Sequence, residues 1–120
     1  MGDLRTLLAY KKSFELAMEI FQVSKKFPAE EKYSLTDQIR RASRSVCANI
    51  SESYKRRRYK DYFIAKLNDA ETENAETQVW LDFAVACNYL SNEQYVLLTK
   101  KNEEVGELIW YMINNIEKFM

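Results

Sequence analysis

The sequence contains very few of the residues that turn a chain. Only two of its 120 residues are glycine and only one is proline. Sandwiches, barrels and α/β folds need many tight turns, and those turns draw on glycine and proline. A chain with so few breaks must form long elements, and long elements in a short chain indicate α-helices. Hydrophobic residues make up 47% of the chain, which is enough for one core. We therefore predict a single soluble all-α domain over residues 1–120.

Four segments carry apolar residues at alternating spacings of three and four, the pattern of a helix with one buried face. These segments predict helices over residues 7–26, 34–54, 58–89 and 92–118. The connections between them are short, and short connections make neighbouring helices antiparallel. The predicted fold is therefore an antiparallel up-down-up-down four-helix bundle with long helices.

Local signals indicate where the helices begin and end. Ser34 is suited to cap the N-terminus of the second helix, and Ser91 with Gln94 forms a capping-box pattern at the start of the fourth. Asn88 marks the end of the third helix. Three polar residues fall on the apolar stripes and are expected to hydrogen-bond across the core or to set helix register: Asn74, Thr77 and Asn102.

The chain lacks the groups of most catalytic sites. It has no histidine, so it cannot form a Ser-His-Asp triad, a Cys-His pair or the Glu-x-x-His motifs of a di-iron bundle. Its two glycines, Gly2 and Gly106, cannot make a phosphate-binding loop. We predict no enzymatic activity and no cofactor. One weaker hypothesis is a carboxylate metal site, although the same residues suit a solvated acidic surface: Asp69, Glu73, Glu76, Glu103 and Glu107.

Charge is strongly segregated along the chain, although its formal net value is zero. Residues 40–66 carry nine basic and two acidic side chains, a net charge of +7, whereas residues 67–120 carry three basic and ten acidic, a net charge of −7. Seven basic residues are candidate nucleic-acid contacts: Arg40, Arg44, Lys55, Arg56, Arg57, Arg58 and Lys60. Interleaved tyrosines favour this interpretation, because arginine contacts phosphates and tyrosine stacks on bases. The alternative is that these cations pair with the acidic helices, within one subunit or between subunits.

Two further features bear on location and assembly. Cys47 and Cys87 are isolated on helical segments, as in a protein of a reducing compartment. Residues 1–8 contain no apolar signal segment, and no apolar run is long enough to span a membrane, so we expect a cytoplasmic protein. Trp80, Trp110 and several tyrosines exceed what one small core can hold, which favours a homo-oligomer.

Two stretches around the second helix resemble a known family. FPAEEKYSLTDQIRRA spans residues 27–42 and SVCANISE spans residues 45–52. They are similar to the patterns FPxEExYxLxxQ[IL]RRA and S[IV]PxNIAEG of the bacterial 23S rRNA-intervening-sequence protein family, also called the four helix bundle protein family. Further similarity lies at residues 7–21, 76–78 and 88–91, so the resemblance covers nearly the whole chain.

The resemblance implies an antiparallel four-helix bundle that assembles as a homopentamer around a central channel, with no enzymatic activity. A related group, the accessory proteins of diversity-generating retroelements, binds a reverse transcriptase and nucleic acid through a basic surface. The chain departs from the family pattern at Cys47, Ser53 and Asn74, where Pro, Gly and Glu are usual. These departures concern the turn after Glu52 and the polar residues near position 74, and they do not affect the expected fold.

The resemblance also gives weight to five polar residues of the second helix: Gln38, Arg40, Arg41, Asn49 and Glu52. Arg41, Asn49 and Glu52 lie with Ser45 along one side of that helix as a polar line. One interpretation is a structural polar network of Gln38, Arg41, Asn49, Glu52 and Glu76 that joins helices or subunits, with Arg41 paired to Glu52 or Glu76. The other is a line of side chains that faces a ligand.

Two functional hypotheses follow. The first is a non-enzymatic oligomeric bundle that binds RNA or a ribonucleoprotein partner through the basic second helix and the following loop. The alternative is a protein–protein scaffolding or assembly module whose basic and acidic faces pair between subunits, with no nucleic-acid role. Neither hypothesis involves a membrane.

Overall fold

The structure, a computed structural model, describes residues 7–120. That part of the chain forms four α-helices: α1 Leu8–Ser24, α2 Leu35–Lys55, α3 Lys60–Ala86 and α4 Asn92–Asn114. Single turns of 3₁₀ helix lie at Ala29–Glu31 and Ile116–Lys118. The prediction of an all-α four-helix bundle is confirmed. The expectations for the N-terminal signal segment and for the start of the domain fall largely on residues 1–6, which lie outside the described residues.

Contacts between the helices show that neighbours run antiparallel, because a rising residue number on one helix meets a falling number on the next. Between α1 and α2, Tyr10 contacts Cys47 and Ser24 contacts Arg40. Between α3 and α4, Asn74 contacts Asn102 and Gln78 contacts Thr99. Between α1 and α4, Lys12 contacts Glu104 and Glu19 contacts Lys101. Glu52 of α2 meets Lys66 of α3 near their shared turn. The helices thus close into one elongated bundle, 44 Å long.

The predicted apolar stripes form the core of this bundle. Its largest fully buried hydrophobic side chains come from all four helices: Ile20, Ile39, Ile50, Phe63, Leu67, Leu81, Val105 and Ile109. Burying one such side chain is worth about 1.5–3 kcal/mol, so this set is the main source of stability. Several large apolar residues of α1, α3 and α4 nevertheless stay exposed, and they bear on assembly.

Two predicted helix ends differ by more than two residues in the structure. α3 ends at Ala86 rather than at residue 89, because Asn88 adopts the left-handed conformation with a φ of 63°. The backbone N–H of Tyr89 then donates to the carbonyl of Ala84 at 2.8 Å, as in a Schellman motif. α4 ends at Asn114, and the final 3₁₀ turn takes up most of the remaining predicted length. The predicted capping box of Ser91 and Gln94 is confirmed at the start of α4.

A single carboxylate joins the two loops at one end of the bundle. Glu31, between α1 and α2, accepts hydrogen bonds from the Ser34 hydroxyl at 2.6 Å and from the Leu35 backbone N–H at 3.3 Å. Its other oxygen accepts from the hydroxyl of Tyr89, between α3 and α4, at 2.9 Å. The prediction that the Ser34 side chain caps α2 is therefore wrong, since Glu31 caps the helix and Ser34 donates to Glu31.

These contacts shift two pKa values in opposite directions. The hydrogen bond from Ser34, followed by the one from Tyr89, holds the pKa of Glu31 below its ordinary value. The hydrogen bond to Glu31, with desolvation as the next cause, raises the pKa of Tyr89 to about 12. The pair is thus held as an ionised carboxylate and a protonated phenol over a wide range of pH.

A buried polar pair sets the register of α3 against α4. The side-chain amide of Asn74 donates to the side-chain oxygen of Asn102 at 2.8 Å, and the Asn102 amide donates to the Asn74 backbone carbonyl at 3.0 Å. Thr77 instead donates within α3, to the carbonyl of Glu73. Gly106 lies against the pair: a Cβ at this position would stand 2.8 Å from the Asn74 side-chain oxygen. A methyl group at this position would therefore have to displace the side-chain amide of Asn74, which makes the buried pair.

Replacing Gly106 with alanine should therefore destabilise the bundle. At an ordinary helix position this change stabilises by about 1 kcal/mol, because glycine is a poor helix former. Here the added methyl group displaces Asn74 and weakens a buried hydrogen-bonded pair, so we expect the free energy of unfolding to fall by about 1 kcal/mol or more. Chemical denaturation followed by circular dichroism measures the difference.

The matched control places the same change in an Asn74→Ala background, where the methyl group has room. There Gly106→Ala should raise the free energy of unfolding by about 1 kcal/mol relative to Asn74→Ala alone. Stabilisation by Gly106→Ala in the otherwise unchanged chain would show that the helices do not need the glycine.

Replacing Glu31 with glutamine should lower the Tm at neutral pH, because it removes the charge that strengthens three hydrogen bonds. A carboxylate whose folded-state pKa is lowered stabilises the protein above its unfolded-state pKa, near 4.5, and that contribution is lost as the pH falls through the folded-state value. The Tm difference between the wild type and Glu31→Gln should thus be largest at neutral pH. It should shrink as the pH falls below about 4.5 and through the lower pKa of Glu31 in the folded protein.

Thermal unfolding followed by circular dichroism across this pH range measures the difference. The matched control is Glu30→Gln, at the exposed neighbouring position, which should change the Tm little at any pH. A Tm difference for Glu31→Gln that does not vary with pH would mean that the charge of the carboxylate is not what stabilises the two loops.

Candidate nucleic-acid interface

The turn between α2 and α3 carries four consecutive cations, Lys55, Arg56, Arg57 and Arg58, which we term the basic corner. Lys55 is the last residue of α2, and the three arginines form the turn that follows. No carboxylate of the described residues lies within ion-pair distance of any of the four. Cations concentrated on one turn without partners produce a positive potential that attracts polyanions.

Two exposed tyrosines flank the basic corner. Tyr59 and Tyr62 are 55% and 64% exposed, and their rings meet edge to face with centroids 6.2 Å apart. Exposed rings beside unpaired cations are typical of single-strand nucleic-acid surfaces, where bases stack and phosphates are bound. Tyr54 is buried, and the Arg57 guanidinium lies 4.0 Å from its ring centroid and donates to its backbone carbonyl. Arg57 therefore contributes to the packing of the turn as well as to its charge.

Lys60 does not add its charge to the basic corner. Its ammonium donates to the carboxylate of Glu117 at 2.8 Å, which joins the start of α3 to the turn after α4. The hydrogen bond to Glu117, and then the attraction of the Glu117 charge, raise the pKa of Lys60. Of the seven predicted contacts, Lys60 is the one whose charge is already neutralised by a carboxylate of the described residues.

The two remaining predicted contacts lie further back along α2, about 16 Å or more from the basic corner along the helix axis. Arg40 and Arg44 place their guanidinium carbons 4.7 Å and 5.5 Å from the ring centroid of Phe21 on α1. Lys25 places its ammonium 4.8 Å from the same centroid. The Nε of Arg40 also donates to the Ser24 hydroxyl at 2.8 Å. We term Lys25, Arg40 and Arg44 the Phe21 cation cluster.

The structure thus divides the predicted surface into two cationic groups with different surroundings. The basic corner is a turn flanked by tyrosines, whereas the Phe21 cation cluster lies on the flank of α1 and α2. Like the basic corner, the cluster has no carboxylate of the described residues within ion-pair distance. Whether either group binds nucleic acid stays a prediction.

The five members of the predicted polar network make no hydrogen bond or ion pair directly with one another in the structure. Its members have separate neighbours: Arg41 binds Asp37, Asn49 donates to Ser45, Glu52 binds Lys66 and Glu76 accepts from Trp80, while Gln38 is exposed. Most of these partners lie four residues away on the same helix, where side chains are adjacent by geometry alone. The expected pairing of Arg41 with Glu52 or Glu76 is therefore not made in the single chain. A role of these residues between subunits stays a prediction.

The acidic residues considered as metal ligands do not form a metal site in the described part of the chain. No group of three or more Asp, Glu or Cys side chains within it is placed to hold an ion. Glu73 lies next to Glu76, and burial, followed by the neighbouring negative charge, raises the pKa of Glu73. Glu103 and Glu107 lie beside the exposed indole of Trp110 on α4. The hypothesis of a carboxylate metal site therefore gains no support.

Sequence analysis missed Lys25 and Phe21 as neighbours of the predicted arginines. One signal was available, since Lys25 follows Phe21 by four residues and so lies on the same face of α1. The contact of that face with Arg40 and Arg44 was not available, because it depends on which flank of α1 packs beside α2.

The fold and the site together define the class of protein. It is an antiparallel four-helix bundle with a cationic turn, exposed aromatic residues and arginines that have no carboxylate partner among residues 7–120. Within residues 7–120, no helix has the length and apolar character needed to cross a bilayer. The model of the 23S rRNA-intervening sequence protein family matches residues 5–111. The chain belongs to this family, as its sequence resemblance predicted.

A solved structure supports the same assignment. The crystal structure of a protein with unknown function from the S23 ribosomal protein family of Bacteroides thetaiotaomicron matches with a TM-score of 0.80 and 32% sequence identity. The match covers 88% of this chain and 98% of that one. No functionally curated protein matches the chain. Neither the family nor the solved neighbour indicates an enzymatic activity.

Proposed function

We propose that this protein is a non-enzymatic, cytoplasmic member of its family that binds RNA through the basic corner. The observation that carries the proposal is the run of four cations at residues 55–58 that lack a carboxylate partner among the described residues. The exposed rings of Tyr59 and Tyr62 beside them offer stacking surfaces. Both cysteines, Cys47 and Cys87, are free thiols, which suits a reducing compartment.

Single-stranded or looped RNA is the ligand that this surface favours. Unstacked bases can lie against aromatic rings, whereas bases inside a duplex cannot. Reading a DNA major groove takes a projecting helix or ribbon, and here the cations lie on a short turn between two packed helices. The family name refers to inserts of ribosomal RNA genes, which is in keeping with an RNA ligand but does not identify one.

Replacing Lys55, Arg56 and Arg58 together with glutamine should weaken RNA binding without unfolding the bundle. Arg57 is kept because it packs on Tyr54. Each lost phosphate contact should reduce the slope of log K against log salt by about 0.7, so the slope should fall by about 2. We expect at least about a tenfold loss of affinity at low salt. Fluorescence anisotropy with a labelled stem-loop RNA at two salt concentrations measures both quantities.

The matched control removes three exposed lysines elsewhere, Lys11, Lys26 and Lys100. It changes the net charge equally and should retain most of the affinity. Equal losses in the two variants would mean that only the overall charge matters. Wild-type protein that does not bind at low salt, or binds with no dependence on salt, would rule out the proposed function.

We propose further that the protein assembles into a ring of identical copies. Apolar side chains stay exposed on two different helices: Val79 and Phe83 on α3 are 46% and 54% exposed, and Val96 and Leu97 on α4 are 64% and 52% exposed. A ring needs two different complementary faces on each subunit, and exposed apolar side chains on two helices suit that requirement. The family resemblance implies five subunits.

Light scattering coupled to size-exclusion chromatography should give a mass of about 71 kDa, five times the 14.2 kDa of one chain. Leu97→Glu and Phe83→Glu should each give monomers, because a carboxylate is costly to bury at an apolar contact. In a head-to-tail ring each variant keeps one intact face, so a mixture of the two should form a 1:1 dimer.

The control for assembly is Tyr33→Glu, at a side chain that is 85% exposed and lies on neither α3 nor α4, and it should leave the mass unchanged. A wild-type mass of one chain would contradict assembly. A mixture of the two glutamate variants that stays monomeric would contradict the head-to-tail arrangement.

A second candidate function is a protein–protein scaffold in which the basic corner of one copy meets an acidic face of the next. The observation that favours it is an acidic face on α4, where Trp110 is 60% exposed and lies beside Glu103 and Glu107. Such a face attracts arginine both by charge and by cation–π contact. In that case the substitutions at the basic corner would lower the mass of the assembly and would leave RNA binding absent or unchanged.

A further inference from the structure

A groove runs along the flank of the bundle between α1 and α2, with a volume of about 420 Å³. Tyr10, Phe14 and Met18 form its wall on α1. Arg44, Ala48 and Ser51 form its wall on α2. The short side chains of Ala48 and Ser51 keep the groove open, and Arg44 belongs to the Phe21 cation cluster. The groove therefore begins at that cluster.

The opposite end of the groove points to the basic corner. Arg44, Ala48, Ser51 and Lys55 follow one another at spacings of four, three and four, so they lie on one side of α2. Lys55 is the first residue of the basic corner. The distance along α2 from Arg44 to Lys55 is about 16 Å at 1.5 Å per residue. Cations thus stand at both ends of an apolar groove.

The charge of the Phe21 cation cluster is not balanced by protein groups of the described residues. Each of its three cations lies within 5.5 Å of one ring centroid, so no two are more than about 11 Å apart. That separation is comparable to the Debye length of about 10 Å at 0.1 M salt, so their potentials add. The other flank of α1 is different, because its lysine and carboxylates pair with α4: Lys12 with Glu104 and Glu19 with Lys101.

Two aromatic side chains of the α1 wall, Tyr10 and Phe14, lie between the two cationic ends of the groove. The rings of Tyr10 and Phe14 lie 6.1 Å apart with an angle of 31° between their planes. Phe14 is 50% exposed, so one face of its ring is open to a ligand. Aromatic rings of this kind offer stacking surfaces to unpaired bases without regard to base identity.

We propose that this groove binds a single-stranded segment of RNA, with its phosphates at Lys25, Arg40 and Arg44 and its bases against Phe14 and Tyr10. This inference rests on the proposed function and extends it, since the same strand continues past Lys55 to the basic corner.

Charge complementarity favours a strand of RNA over a second copy of the chain as the occupant. None of the described residues that line the groove is acidic. An apolar helix from another copy would leave the cations of the Phe21 cation cluster without partners, and unpaired charges at a contact are costly. The phosphates of one strand can pair with the cations at both ends of the groove. The forked donors of Arg40 and Arg44 suit phosphate oxygens.

The test uses the assembled wild-type protein and a labelled, unstructured ten-nucleotide RNA, followed by fluorescence anisotropy at two salt concentrations. Lys25→Gln with Arg44→Gln should weaken binding about tenfold and lower the salt slope by about 1.4, since each contact contributes about 0.7. Phe14→Leu keeps an apolar side chain but removes the ring, and it should weaken binding about fivefold with no change in the salt slope.

Matched controls come from exposed residues outside the groove lining. Lys11→Gln with Lys26→Gln removes the same charge, and Tyr33→Leu removes an exposed ring; both should bind as the wild type does. Circular dichroism establishes that every variant is folded. Inorganic phosphate, added at constant ionic strength, should compete only weakly. Full displacement of the RNA by phosphate alone would show that the site takes a free anion and not a strand.

The outcomes separate this inference from the proposed function. If the substitutions at the basic corner weaken binding and those in the groove do not, the groove inference is wrong and the proposed function stands. If the groove substitutions weaken binding and those at the corner do not, the groove binds RNA and the role of the corner is wrong. If the groove substitutions change only the mass of the assembly, a second copy occupies the groove. If the wild type binds no RNA at low salt, both proposals fail.

Discussion

The reciprocal hydrogen bonds of Asn74 and Asn102 are the contact on which the arrangement of the bundle depends. Two buried amides tolerate little sliding, because any shift leaves a polar group without a partner at a cost of about 1–3 kcal/mol. Gly106 leaves room for the Asn74 side chain, whose oxygen would stand 2.8 Å from a Cβ at that position. With α3 and α4 held in this register, Lys60 at the start of α3 meets Glu117 after the end of α4. At the opposite end of these two helices, Tyr89 in the connecting loop meets Glu31.

The distribution of ion pairs separates structural charges from available ones. Cations that face α4 or the end of the bundle meet carboxylates, as Lys12 does with Glu104 and Lys60 does with Glu117. The basic corner and the Phe21 cation cluster meet none among the described residues, although the chain has as many acidic as basic residues. Exposed pairs contribute little to stability, so their placement matters mainly for the field that the surface presents. The cations of these two groups, which have no carboxylate partner among the described residues, lie on the α1–α2 flank and at the turn that follows.

The predicted capping box of Ser91 and the predicted hydrogen bonding of Asn74 and Asn102 across the core are confirmed, whereas the predicted cap at Ser34 is wrong. Ser91 caps α4 as expected because its partner, Gln94, lies three residues away. Ser34 failed as a cap because Glu31 occupies that role and is itself held by Tyr89, 58 positions further along the chain. For the candidate site, the basic corner stays a predicted binding surface, and its cations have no carboxylate partner among residues 7–120. The attachment of Arg40 and Arg44 to Phe21 was not foreseen, because it depends on how α1 lies against α2.

The sequence by itself determined the class of fold, since two glycines and one proline leave room only for long helices and the spacing of apolar residues marks which face each helix buries. It also determined that these 120 residues supply no histidine as a general base or metal ligand, because the sequence contains none. Only the tertiary structure decided which charges are neutralised and which remain available. The physical reason is that an ion pair such as Lys60 with Glu117 joins residues 57 positions apart, and no pattern along one helix records a distance between two helices.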